Sequence, residues 1–483
     1  MKIYNYKTKK KEHLKTIKEK EFKMYVCGIT PYDSPHLGHI LVALRFNIIR
    51  NYLFNKGFKG VFVQNITDID DKIINKAREE GVSHIDISSR YIAEYEEALS
   101  EFNIIKPDYS PRVTDYIDNI VAYIQNLINK DFAYVTDRGN VYFDVSKKAD
   151  YGKLSNKKLD ELQNKESNED VDKKNSLDFA LWKVEEQDGF FWSSPWGKGR
   201  PGWHIECSVM SNDILGESID MHGGGLDLVF PHHENELAQC EAHNNSPYVK
   251  YWMYSGLLNV NGIKMSKSLG NFITVKDALE KYGSELLTYV VNTFHYRSNI
   301  NFQDRLFVDN LNNLANFHKQ FILVENLYNI KVSAAEFESK EVEKNINEYF
   351  MAMDEDFNTA KALVSLNKLL LILIQRVENK ANEKNIVYLY KKIKDLGNVL
   401  NLFLTERSED VLNELFNFYG RYLGKPLLSV EKINIEIEKM QIALEKKDYT
   451  VSDAIRADLL DKGIKVMQNR EKKIEWRFIF IEK

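Results

Sequence analysis

Two segments far apart in the chain carry residue types suited to phosphate chemistry. The first runs from Pro31 to His39, contains His36, Leu37, Gly38 and His39 in succession, and leads from an apolar run straight into a helical pattern. Gly38 falls where a backbone must come close to a ligand, an approach that only glycine permits. The helix that follows aims its free N–H groups and the positive end of its dipole at the same place, which suits phosphate. His36 and His39 flank that spot and can donate hydrogen bonds to phosphate oxygens. Alone this HLGH pattern is weak, because two histidines beside a turn serve equally well as satisfied core or surface residues. The second segment is Lys264-Met265-Ser266-Lys267-Ser268, followed by Leu269, Gly270 and Asn271. Two lysines with interleaved serines form a cationic clamp for a transition state in which charge builds on a triphosphate. A solvated lysine loop would read the same way, and it is the pairing of the two segments that argues against it.

A third group suits a metal ion. Cys27 lies just before the histidine segment, Cys207 follows Trp203, His204 and Glu206, and His232 and Glu236 stand four residues apart, on one face of a helix. Two sulfurs, an imidazole and a carboxylate make a zinc set, and Cys27 would bring the ion to the phosphate motif. By spacing alone His204, Glu206, His222, His233 and Glu234 remain rival ligands, and a zinc that only staples two segments remains a rival use. Thr67, Asp68 and Asp70 close a strand and open a helix, where the two aspartates read as capping acids. His222 to Asp227 offers the glycines Gly223, Gly224 and Gly225 for close approach and Asp227 as a carboxylate for a ribose hydroxyl. Cys240 has no metal partner at good spacing and reads as a small buried apolar residue.

These groups need a scaffold. Met24 to Thr30 reads as a buried strand, Ile40 to Phe54 as a helix, and Val61 to Gln64 as a second strand, with Gly57 and Gly60 punctuating the return. That is a βαβ unit and predicts a parallel sheet. From about 107 to 200 the alternation breaks, and Asn156 to Asn175 is polar and reads as an exposed loop. Strand and glycine-turn patterns resume from Gly202 to Asn301. Helical patterns then run through Leu306–Leu327, Val342–Phe350, Thr359–Val377 and Val387–Leu404, with Asn358 or Thr359 capping the third. A last segment holds Ile433–Lys446, Ser452–Lys462, and a strand-like tail through Trp476.

The 483 residues exceed one ordinary domain. With 43% hydrophobic and 12% aromatic residues, each domain can build a core. The most apolar short run, Leu369 to Ile374, is far below the roughly 18 residues needed to cross a bilayer, so no membrane is expected. The lysines near the N-terminus precede no apolar stretch of the kind a secretion signal carries, so a cytoplasmic protein is expected. Three cysteines are too few and too scattered for a disulfide framework. A net charge of −5 leaves any RNA site as a local basic patch.

The HLGH and KMSKS pair resembles the class I aminoacyl-tRNA synthetases, whose Rossmann-type fold carries an HIGH and a KMSKS motif; here leucine replaces isoleucine. Cys27, Cys207, His232 and Glu236 match, residue by residue, the zinc pattern of the cysteine–tRNA ligase family, and the resemblance covers nearly the whole chain. It implies an α/β Rossmann-type catalytic domain over 1–305, with a connective insertion at about 107–200 and the KMSKS region at 256–305. A helical bundle over 306–428 and an anticodon-binding domain over 429–483 would follow. It implies activation of L-cysteine with ATP and magnesium, and transfer to tRNA(Cys), by a monomer. His36, His39, Lys264 and Lys267 would contact the transition state, Gly38, Gly224, Asp227 and Lys267 the ATP, and Thr67 and Trp203 the cysteine. Lys446, Lys447, Tyr449, Asp453, Arg456 and Trp476 would meet RNA, an aromatic stacking a base while cations hold phosphates; many relatives carry tryptophan at the place of Tyr449. Leu177 to Lys183 and Met353 to Ala360 also match the family. Accurate translation needs discrimination of about 10⁴–10⁵, whereas an apolar pocket separates small isosteres by only about 10². A zinc–thiolate bond would close that gap of roughly 3–4 kcal/mol, so no editing domain is expected. Two alternatives stand beside this reading: a cysteine ligase acting on an amino-sugar amine, and a non-catalytic zinc-stabilised RNA-binding protein.

Overall fold

The computed structural model describes every residue except 157–171, 185–190, 266–270, 332–338, 405–407, 426–427, 469–473 and 480–483. Contacts divide the chain into two units, one formed by Met1–Leu257, Tyr296–Asn299 and Asp354–Phe357, the other by Leu258–His295, Ile300–Met353 and Asn358–Lys483.

The first unit opens with a hairpin of β1 (Lys2–Asn5) and β2 (Lys10–His13), followed by β3 (Glu21–Ile29), α1 (Leu37–Asn55) and β4 (Lys59–Ile66). Next come α2 (Asp71–Glu80), α3 (His84–Glu101), α4 (Ile117–Asn129), β5 (Ala133–Val135), β6 (Val141–Phe143), β7 (Phe179–Val184) and β8 (Gly199–Pro201). It closes with α5 (Ile205–Leu215), β9 (Ile219–Gly225), α6 (Glu234–Asn244) and β10 (Val249–Ser255). The expected parallel sheet is present, in the order β10-β9-β3-β4, with every pair parallel. β3 is apolar and buried along most of its length, as a central parallel strand covered on both faces must be. The same holds for α1, whose buried residues point all round rather than to one side.

The chain moves from β3 to β4 on one side and later adds β9 and β10 on the other. The strand order therefore reverses between β3 and β9, and such a switch point opens a crevice at the carboxyl ends of the strands. Inserted between β4 and β9, β5 to β8 make a separate antiparallel sheet, whose last strand leads directly into Trp203 and α5.

The second unit holds β11 (Leu258–Val260), β12 (Ile263–Lys264), α7 (Val275–Tyr282), α8 (Ser284–Asn292) and β13 (Ile300–Phe302), the strands forming a small sheet. Its helices continue with α9 (Asp304–Leu327), α10 (Lys340–Asp354), α11 (Thr359–Glu378), α12 (Glu383–Val399) and α13 (Ser408–Leu423). Then come α14 (Val430–Glu445), α15 (Tyr449–Asp461) and a hairpin of β14 (Ile464–Gln468) and β15 (Ile474–Phe478). Asn358 caps α11 by accepting from the Lys361 N–H. The sequence reading assigns no element to 408–423, where α13 lies. Among the described residues no helix is long and apolar enough to cross a membrane.

Candidate active site

Tyr25 on β3, His222 on β9 and Trp252 on β10 fall in register across three neighbouring strands. Their rings follow one another on one face, Tyr25 to His222 at 5.2 Å and His222 to Trp252 at 4.7 Å between centroids. Cys27 lies two residues beyond Tyr25 and so on the same face of β3. Cys207 reaches it from the first turn of α5, with 3.9 Å between the sulfurs. His232 lies in the turn that enters α6 and Glu236 one turn later, with His232 Nε2 2.9 Å from Glu236 Oε1. Cys27 Sγ is 3.5 Å from the same oxygen. The ligand atoms of Cys27, Cys207, His232 and Glu236 all lie within 4.8 Å of one another and all four residues are buried.

A second set meets the same criterion, Cys27 and Glu236 with His222 and His233. In it His222 Nε2 lies 2.9 Å from Glu236 Oε2, and His233 Nδ1 lies 2.9 Å from the Tyr254 hydroxyl. His204 Nδ1 faces His232 Nδ1 at 3.0 Å. Glu234 points elsewhere and accepts from the backbone N–H groups of Gly152, Leu154 and Ser155.

The surroundings split the charges. The Cys27 thiol that donates to it, opposed by burial and aided by His232, brings Cys207 down to about 6. Burial, then the Cys207 sulfur, push Cys27 well up. Burial alone would lower His232, but the Glu236 carboxylate and the Cys207 sulfur carry it to about 10. Glu236 stays well below the usual carboxylate range because His222 and His232 outweigh the cost of its burial. Two sulfurs, an imidazole and a carboxylate held this closely in a dry site are a donor set suited to a borderline-soft divalent cation.

Directly after β3, His36 stands as the N-cap of α1 and Gly38 lies in its first turn, half-buried. The two histidine rings stack at 3.6 Å between centroids, and His39 Nδ1 accepts from the His36 backbone N–H at 3.4 Å. With Nδ1 accepting, Nε2 carries the proton that His39 can offer. Free helix N–H groups, two imidazoles and the metal-competent cluster thus share the carboxyl end of the sheet.

Residues 13–312 match the family described as "tRNA synthetases class I (C) catalytic domain", and residues 348–405 match the DALR domain. A cysteine–tRNA ligase of Thermodesulfovibrio yellowstonii is 41% identical over 490 residues, spanning 99% of each chain. One of Acinetobacter baumannii strain AYE is 39% identical over 480 residues and 98% of each. The chain belongs to the cysteine–tRNA ligase family. The fold is also that of a Mycobacterium tuberculosis methionyl-tRNA synthetase bound by methionyl-adenylate, with a TM-score of 0.59 and 14% identity over 81% of this chain and 94% of that one.

The remaining residues singled out for a cysteine–tRNA ligase fall as follows. Thr67 is buried at the end of β4 and donates to Glu206 Oε2 at 3.3 Å. Trp203 is 39% exposed, its ring 4.5 Å from His232. Gly224 is the next-to-last residue of β9, where a side chain would meet Leu228 and His233, so its smallness is already needed by the protein's own packing. Asp227 is exposed in the following turn. Of the two acids read as caps, Asp70 does cap α2 by accepting from the Lys72 N–H, whereas Asp68 turns to Thr114 and accepts from both its N–H and its hydroxyl. The backbone of Lys264 ends β12 in the second unit, and Lys267 lies outside the described residues, as does most of the polar segment 156–175.

Lys446, Lys447, Tyr449, Asp453 and Arg456 are exposed around the turn from α14 into α15, with Tyr449 62% exposed and Asp453 paired to Arg456. Trp476 departs from them. It is buried on β15 against Phe416 and Phe478, with the Lys319 ammonium over its ring, so its indole is occupied within the protein. Sequence reasoning assigned no role to Asn65, whose side chain accepts from the Gly28 N–H and donates to Thr67. Its place at the carboxyl end of a predicted strand beside Thr67 was the available signal.

Proposed function

We propose that this protein activates L-cysteine with ATP to cysteinyl-adenylate and transfers the cysteinyl group to tRNA(Cys). The observation that carries the substrate choice is the buried two-sulfur cluster whose Cys27 stands near the carboxyl end of β3, the strand that leads into α1. We assign zinc to Cys27, Cys207, His232 and Glu236. In that arrangement His222 and His233 serve as outer partners, His222 donating to Glu236 Oε2 and His204 meeting the far nitrogen of His232. Such partners orient metal ligands and fix their tautomers. Zinc bound there would take a substrate sulfur as thiolate and discriminate against the harder hydroxyl of serine.

The free N–H groups of α1, with His36 and His39, hold the triphosphate, which arrives with magnesium. The cysteine carboxylate attacks the α-phosphate and pyrophosphate leaves, while Lys264 and Lys267 neutralise the charge that builds on the phosphates. A ribose hydroxyl at the end of the tRNA then attacks the adenylate's carbonyl and AMP departs. Residues 429–483 are assigned to the anticodon, with Lys446, Lys447, Tyr449 and Arg456 as the exposed contacts. Relatives aligned over 98–99% of the chain extend through that segment, which favours neither the amino-sugar ligase nor a non-catalytic RNA-binding protein. Cysteine-dependent ATP–pyrophosphate exchange followed by charging of tRNA(Cys) tests the assignment. Both are expected. Exchange without charging would move the acceptor away from tRNA, and no exchange would end the catalytic reading.

A further inference from the structure

Glu206 precedes Cys207 on α5 but takes no part in the metal-competent cluster. Its carboxylate is buried, at 3% exposure, and Oε2 accepts from Thr67 Oγ1 at 3.3 Å. That hydroxyl accepts in turn from Asn65 Nδ2 at 3.3 Å, and Asn65 Oδ1 accepts from the Gly28 N–H at 2.9 Å. A line of hydrogen bonds therefore ties β3, β4 and α5 together at one end of the sheet. Oε1 of Glu206 has no donor among the described residues, and the side chain lines a small pocket with Ile69, Asp70, Pro201 and Trp203. Lys183 and Arg200 also line the pocket, but Arg200 is paired with Asp71 and neither bonds to Glu206 among the described residues.

A buried carboxyl group with one unmet oxygen facing a pocket, and no cation bonded to it among the described residues, calls for a partner brought from outside. We propose that Glu206 receives the α-ammonium of the amino-acid substrate, with Thr67 and Asn65 holding the carboxylate in place. The inference deepens the cysteine-activating reading and rests on it. Of cysteine's three polar groups, the sulfur is directed to the cluster and the carboxylate must stay free to attack phosphate, which leaves the ammonium as the remaining handle. Sulfur and nitrogen are only three bonds apart in cysteine, and Trp203 lines the pocket with Glu206 while its ring lies 4.5 Å from that of His232 in the cluster, so one small molecule can meet both.

The test compares wild-type and Glu206→Gln full-length proteins in cysteine-dependent pyrophosphate exchange, with 3-mercaptopropionate, which is cysteine without its amino group, as competing inhibitor. The KM for cysteine is expected to rise roughly 10- to 100-fold with kcat little changed, because the ammonium is held equally before and during attack. The inhibitor's Ki should not rise, so the ratio of Ki to KM, large in the wild type, should collapse. That ratio is internal to each protein and does not depend on how much of it is folded. Bound zinc should stay at the wild-type level. An unchanged ratio overturns the proposal, as does a fall in kcat and zinc with the ratio kept, the pattern of a merely structural side chain. A wild-type protein without cysteine-dependent exchange overturns the underlying activity instead.

Discussion

Cys27 and Cys207 are the same thiol in two surroundings, and the surroundings decide which keeps its proton. Cys207 faces a donor in Cys27 and a cation in His232, and it is brought to about 6; Cys27 faces burial and the Cys207 sulfur, and it is pushed up. Both thiols must shed their protons to hold a metal, and Cys207 does so the more readily. Replacing it by serine exchanges a thiolate for a hydroxyl that holds its proton and binds a soft ion poorly. Loss of an outer partner alone already costs about 10- to 100-fold in metal affinity or activity, so loss of a ligand should cost at least ~100-fold in kcat/KM for cysteine. ATP binding, assigned above to the α1 terminus, should persist in Cys207→Ser. Metal analysis, exchange kinetics and ATP titration on one preparation check this, and undiminished exchange would refute the assignment of Cys207 as a ligand. The residue types of the site were legible in the sequence, but the choice among them was not. His222 and His233 come as close to Glu236 as Cys207 and His232 do, because register between β3 and β9 brings in the one and the turn into α6 brings in the other.

At the scale of elements, the placement of Cys27 depends on how closely β3 and β4 approach beyond it. Gly28 lies so near β4 that a Cβ there would stand 1.6 Å from the Asn65 carbonyl oxygen. Gly28→Ala must therefore push the strands apart between Cys27 and Thr67, at a cost beyond the roughly 1–3 kcal/mol of ordinary overpacking. Gly81 offers the contrast. It ends α2 at φ 68°, and a Cβ there would meet nothing within 4 Å, so Gly81→Asn, which tolerates that conformation, should cost less than about 1 kcal/mol. Denaturation midpoints and zinc content of the two variants distinguish steric from conformational need, and equal losses would remove the argument. The βαβ start was legible because apolar periodicity and glycine turns coincide there. Leu177 to Lys183 had no chemical role in sequence, and its reason is structural: buried Asp178 accepts from the Tyr134 hydroxyl and from the backbone N–H groups of Val145 and Asn175. The helix over 408–423 is hard to read from sequence because its aromatic residues and Gly420 are weak helix formers. Packing supplies what propensity lacks, with Phe418 against Phe307 and Tyr282 of its own unit.

For the whole molecule, sequence order predicted domains as consecutive blocks, whereas contacts distribute the chain differently. Residues 258–295, read as part of the nucleotide-binding domain, group with the helical unit, and Asp354–Phe357, flanked by helices of the second unit, groups with the first. Periodicity reports only a segment's own face and cannot reveal which distant segment will satisfy a buried charge. Asp356 shows what was hidden. It is fully buried in the first unit, with Oδ1 accepting from the Tyr4 N–H at 2.8 Å and the Tyr296 hydroxyl at 3.0 Å, and Oδ2 accepting from Arg297 Nε at 2.9 Å. Its own N–H donates to the Lys2 carbonyl, and its φ of 67° is one that aspartate and asparagine adopt more readily than alanine. One carboxylate therefore closes the first unit from the N-terminal strand, from Tyr296 and Arg297, and from the segment after α10. Arg297 is about a third exposed, which tempers the ionic part. Asp356→Ala should still cost roughly 2–3 kcal/mol, because it removes the carboxylate that accepts from the Tyr4 N–H and the Tyr296 hydroxyl and strains the backbone. Asp356→Asn keeps an acceptor and the backbone conformation and should lose less than half of that. Urea unfolding of both variants, read at the first transition, should rank wild type above Asn above Ala. If Asn and Ala proved equal, or Ala matched the wild type, the clasp would not be what holds these distant stretches in one unit.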